Sequence, residues 1–107
     1  FTKLCITTFG DKVNHWIVMN EPVVFTGAGY FLGLHAPGRR GMKNFLPAIH
    51  HATMAIAASA RIIRQIKPNA HIGTTFSCSY LEPYRNLERD RKAVARVNAL
   101  LNRLYIE

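Results

Sequence analysis

Acidic residues and cysteines are both scarce in this chain. Six Asp and Glu stand against fourteen Lys and Arg in 107 residues, leaving a net charge of +8. A surplus of that size suits nucleic acid, but its placement points elsewhere. Arg61, Arg64 and Lys67 fall in one helix-like stretch; Arg85, Arg89, Arg91, Lys92, Arg96 and Arg103 fall in another. Aromatic residues are not interleaved with them, as a single-strand binder requires. Two solvated helix faces account for the pattern, and no nucleic-acid partner is expected. The two cysteines, Cys5 and Cys78, lie 73 positions apart and belong to no C-x-x-C pair. They read as two reduced, partly buried thiols, with nothing to argue for an oxidising compartment.

Long apolar runs are missing too. The longest weakly polar stretch, Ala52 to Ala60, is interrupted by Thr53 and Ser59 and falls well short of the about 18 residues a membrane-spanning helix needs. No membrane partner is expected. The chain opens on Phe1-Thr2-Lys3, without Met and without a basic segment leading into an apolar one. It reads as a piece of something longer, and a cytoplasmic location is the expectation that follows. What is present is a globular composition, 49% hydrophobic and 19% charged. Its length suits one small domain.

Residues 1–9 read as the end of an amphipathic segment, with Leu4, Cys5 and Phe9 apolar. Gly10 then supplies a left-handed helix stop. Val13 to Met19 is mostly apolar and does not alternate, the pattern of a strand buried on both faces in a parallel sheet. Residues 23–43 carry five glycines and Pro37 and read as a long ordered loop. Residues 44–67 make the clearest helix. Phe45, Ile49, Ala52, Ile56, Ala60, Ile63 and Ile66 form its apolar stripe, Asn44 is its cap, and Pro47 sits in its first turn. A second strand is expected over 70–76, a polar loop over 77–88, and a helix over 89–104 with Val94, Val97, Leu101 and Leu104 inward. Strands alternating with helices make parallel βαβ units. Two strands cannot make a covered parallel sheet, so the pattern demands more strands than the chain contains.

The site chemistry centres on "HWIVMNEP", His15 to Pro22. In βα units the functional end of the sheet is the C-terminal end of each strand, and Asn20 and Glu21 fall there. Pro22 cannot continue a ladder and turns the chain outward into the loop. A Glu suits proton transfer, and an amide both donates to and accepts from a sugar hydroxyl. On chemistry alone, a Glu capping or salt-bridging a strand end is the favoured reading. Glu82, in the loop after the second strand, is the other carboxylate to weigh, and it lies several residues into that loop. His35, His50, His51 and Cys78 show neither H-x-x-x-H nor C-x-x-C spacing, so no metal and no cofactor is expected. Trp16, five residues before Glu21, reads as a buried packing residue.

Three ordered blocks carry a family resemblance: "FGDKVNHWIVMNEP", "GAGYFLGLHAPG" and "AIHHATMAIAASARIIRQIKPNAHIG". They resemble glycoside hydrolase family 1, the β-glucosidases and their relatives. The first matches the segment usually written W-x-T-x-N-E-P. The second is similar to a G-Y-x-x-G-x-x-A-P-G loop, and the third to the helix and strand that follow. The likeness is strong over residues 4–76 and weaker over 77–107. Val18 and Met19 depart from the family's Thr and Phe or Leu, and "GTTFSCS" lacks an Asn often found there.

The resemblance implies a (β/α)8 barrel, of which residues 1–107 would be one partial domain holding about two βα units, strands 4 and 5. It implies a retaining β-glycosidase in carbohydrate metabolism acting on a β-glycoside or oligosaccharide. Glu21 would be the acid/base, and Asn20 would bind the sugar hydroxyl next to the anomeric carbon. The family's nucleophile, a Glu in a T-E-N-G-like motif, has no match here, and its earlier Gln and His-Trp sugar contacts are missing. The chain alone is therefore expected to be inactive, with the remaining barrel segments as its partners. The alternatives are a non-catalytic carbohydrate-binding or interaction module of the same fold and, less favoured, a small basic nucleic-acid binder.

Overall fold

A computed structural model describes residues 1–105. They form two compact units, Phe1–Thr75 and a second from Phe76 onward. The first contains α1 (Thr2–Phe9), β1 (His15–Ile17), α2 (Pro22–Thr26), a wider π-helical stretch (Gly27–Leu32), α3 (Met42–Ile66) and β2 (His71–Gly73). β1 and β2 pair in parallel, with Trp16 opposite Ile72. The order is a βαβ unit, as the alternating pattern predicts. No helix of the described residues is long and apolar enough to cross a membrane.

The apolar stripe of α3 builds the core of this unit. Phe45, Ile49, Ala52 and Ile63 are buried there, joined by Ile6 from α1. The four larger side chains among them each contribute about 1.5–3 kcal/mol on burial. The α1–α3 seam also carries a 3.0 Å hydrogen bond between the Thr2 and Ser59 hydroxyls. At the far end of α3, Lys67 Nζ donates to the carbonyls of Gly10 and Val13. That clamp fixes the turn that leads into β1, and so the position of the strand itself.

Several details differ from the sequence reading. On α1 it is Ile6 that is buried, while Leu4 and Phe9 lie exposed. Gly10 ends α1 in a right-handed conformation, φ −64°, its N–H still bonded to the Ile6 carbonyl. A Cβ there would sit 2.4 Å from that carbonyl oxygen, so close approach favours glycine here. β1 is shorter than expected, and Ile17 is 60% exposed. Among the described residues β1 has one neighbour, so its other edge lacks the cover that two-sided burial needs. Trp16 is only half-buried, its indole N–H donating to the Val13 carbonyl at 3.2 Å.

The expected loop over 23–43 is helical for its first half. Pro22 opens α2 at its first position, where its fixed φ and missing N–H cost nothing. Gly27 is helical, and Gly29 is a contact glycine. A Cβ on Gly29 would lie 2.7 Å from the Ala36 carbonyl of the returning chain. Gly33 then ends the stretch at φ 72°. α3 begins two residues early, after Gly41 at φ 84°. Asn44 therefore lies inside it, its amide donating to the Arg40 carbonyl at 2.7 Å instead of capping. Pro47 falls in the second turn, where its ring removes a helical N–H.

The second unit holds α4 (Glu88–Asn98) and π-helical turns over Ala99–Arg103. The Asn102 amide brackets Ser79, donating to its carbonyl at 2.7 Å and accepting its N–H at 3.0 Å. Arg85 pairs with Asp90 at 3.0 Å, and Glu88 with Arg91 and Lys92. None of the expected inward residues of this helix is fully buried. Val94 is half-buried, and Val97, Leu101 and Leu104 are exposed.

Candidate active site

The strand pairing of β1 and β2 continues beyond their formal ends, and that continuation builds the site. Val18 N–H donates to the Gly73 carbonyl at 3.0 Å. One step on, the Thr74 hydroxyl donates to the Met19 carbonyl. At the last step the ladder passes to a side chain. Thr75 Oγ1 accepts the Glu21 N–H at 3.0 Å and donates to Asn20 Oδ1 at 2.6 Å. Asn20 and Glu21 are thus brought together at the C-terminal end of β1, as the sequence predicts. The bonds that fix Glu21 are made by its backbone, not by its carboxylate. On its other side the Glu21 carbonyl accepts the Val24 N–H at 3.0 Å.

Glu21 is also strained. Its φ of 45° and ψ of 62° place it in the left-handed region, where it is the one non-glycine residue among those described. The Cβ of an L-residue costs about 1–2 kcal/mol there. The chain accepts that cost to turn from β1 into α2 within one residue. Glu21→Gly is accordingly expected to raise stability by about 0.5–1 kcal/mol, read as a higher denaturation midpoint. A fall of similar size would contradict strain at this position.

The other candidates lie elsewhere. Glu82 is exposed in the loop of the second unit before α4. His50 and His51 meet edge to face at 5.7 Å on α3, and His51 Nδ1 donates to the Pro47 carbonyl. Among the described residues, no three His, Cys, Asp or Glu side chains gather as a metal site would require. A cavity of about 570 Å³ opens between the π-helical stretch and the start of α3, lined by Tyr30, Arg39, Lys43 and His51. Asn20, Glu21 and Thr75 do not line it. Thr74 and Thr75 were not singled out by the sequence. Their only signal is two hydroxyls at the end of a strand expected to pair with β1.

The family model described as glycosyl hydrolase family 1 matches residues 1–107. The chain belongs to glycosyl hydrolase family 1. Among its family 1 relatives, β-glucosidase A of Thermotoga maritima is 34% identical over 94 residues, which cover 88% of this chain and 21% of that protein. β-Glucosidase 6 of Oryza sativa subsp. japonica is 34% identical over 112 residues, covering 90% and 21%. Among solved structures, a β-glucosidase from Exiguobacterium marinum superposes with a TM-score of 0.90 at 29% identity, covering 98% of this chain and 24% of that one. The Thermotoga maritima β-glucosidase in complex with glucoimidazole superposes with a TM-score of 0.86 at 32% identity, covering 94% and 23%. The chain thus spans less than a quarter of each of these relatives. Its fold is a fragment of the (β/α)8 barrel that family 1 builds, with the βαβ unit of residues 15–73 as staves and cover.

Proposed function

We propose that this chain supplies the acid/base half of a retaining β-glucosidase-like hydrolase, as part of one barrel domain in which β1 and β2 are strands 4 and 5. One observation carries the reading. Glu21 is held in a strained left-handed turn at the strand end, beside Asn20, by a hydroxyl from the neighbouring strand. Structural pressure alone would place glycine there; a carboxyl that must meet substrate accounts for the strain.

A retaining hydrolase uses two carboxyl groups about 5–5.5 Å apart. Glu21 as acid gives its proton to the glycosidic oxygen as the anomeric carbon passes to the nucleophile. As base, it then takes a proton from the water that releases the sugar. Asn20 hydrogen-bonds the hydroxyl beside the anomeric carbon. The nucleophile belongs to a segment outside residues 1–107, so the chain alone is inactive. The remaining barrel segments are its partners, covering β1 residues such as Ile17. Sugar binding is supported by the Thermotoga maritima neighbours, solved with glucoimidazole and castanospermine.

The test is to combine the chain with the complementary barrel segments and follow aryl β-glucoside hydrolysis. Activity is expected only in the mixture, and Glu21→Gln should abolish most of it. Undiminished hydrolysis by the Glu21→Gln mixture would overturn the assignment. Sugar binding with no hydrolysis in the unsubstituted mixture would favour the non-catalytic module.

A further inference from the structure

We infer that Thr75 is a positioning residue that fixes which end of the Asn20 amide faces the sugar. The inference rests on the hydrolase reading above and goes beyond it by assigning a task to a residue of the neighbouring strand. Thr75 Oγ1 has one proton and two lone pairs. The Glu21 N–H can only donate, so at 3.0 Å it occupies a lone pair. The contact to Asn20 is 2.6 Å, a length typical of O–H···O and short for N–H···O. The hydroxyl proton therefore points at Asn20, and the atom that receives it is Oδ1.

This has a consequence for recognition. With Oδ1 engaged, Asn20 Nδ2 is turned away from Thr75 and keeps both N–H donors for a ligand. Asn20 is exposed, and among the described residues Thr75 is its one side-chain hydrogen-bond partner. Without the Thr75 hydroxyl the amide is free to flip and present an acceptor instead. The same oxygen holds the Glu21 backbone, so one side chain sets the orientation of two consecutive functional residues. Thr75 touches no reacting atom in this scheme; it acts through Asn20.

The experiment uses the full-length barrel enzyme that carries residues 1–107, assayed on an aryl β-glucoside and on its 2-deoxy counterpart. Thr75→Val should lower kcat/KM on the glucoside by about tenfold. The loss should shrink severalfold on the 2-deoxy substrate, which lacks the hydroxyl Asn20 binds. Thr75→Ser should restore most of the rate. In an Asn20→Ala background, Thr75→Val should add little. Equal losses on both substrates, or full additivity with Asn20→Ala, would overturn the inference. Asn20→Asp guards against a Thr75→Val protein that does not fold. It keeps the Thr75 bond but offers no donor, and a wild-type rate from it would also overturn the inference. Failure of the underlying reading is distinguishable, because Glu21→Gln would then turn over both substrates with an unchanged kcat.

Discussion

In the full-length barrel enzyme, Glu21→Gln is expected to lower hydrolysis of a β-glucoside with an alkyl or sugar leaving group by about 10²–10⁴-fold, the usual worth of general acid–base catalysis. Gln keeps the size and the backbone turn but has no proton to give. An alkoxide cannot depart without that proton. A nitrophenolate departs almost unaided, so the loss in the first step should be much smaller for an aryl glucoside with an acidic phenol. A first-step fall of equal size on both substrates would speak for a collapsed site instead of a missing acid. Because Glu21 is held through its backbone N–H and carbonyl, Gln should leave the turn in place.

Ile63→Ala is expected to cost about 2–5 kcal/mol of stability. Ile63 is 1% exposed, and Ile6, also 1% exposed, belongs to the same core of α1 and α3. Removing its three outer carbons opens a cavity in the seam that fixes α3, and α3 in turn positions β1 through the Lys67 clamp. Ile63→Val should cost only about 0.5–1.5 kcal/mol. Ile66→Ala, at a position 42% exposed, should cost less than Ile63→Ala. Chemical denaturation of the three variants checks the order; an Ile66 loss as large as that of Ile63 would contradict the assigned core.

The sequence made the helix of the core legible because burial there follows a simple period. Phe45, Ile49, Ala52 and Ile63 repeat at helical spacing, and all four are buried. The candidate site was legible for a different reason. Glu21 and Asn20 stand at the end of an apolar strand, and three motif blocks carry the family resemblance. The helical character of residues 22–32 was hidden by glycines. Gly27 and Gly29 read as chain breakers, yet Gly27 is plainly helical and Gly29 serves a close approach to Ala36. The start of α3 was misplaced because Asn44 looks like a cap, while Gly41, at a conformation suited to glycine, does the turning. Thr75 was invisible for a third reason. Its partners lie 54 and 55 residues away in sequence, and no local pattern reports a contact made across a parallel pair.

The central claim is that Glu21 first gives a proton and then takes one. Pre-steady-state hydrolysis of a dinitrophenyl β-glucoside by the Glu21→Gln enzyme tests it most directly. The first step should stay fast with so good a leaving group, while the second, lacking its base, should be slow. The account predicts a burst of phenol equal to the enzyme concentration, followed by slow turnover. Steady release at the unsubstituted rate, with no burst, would contradict it.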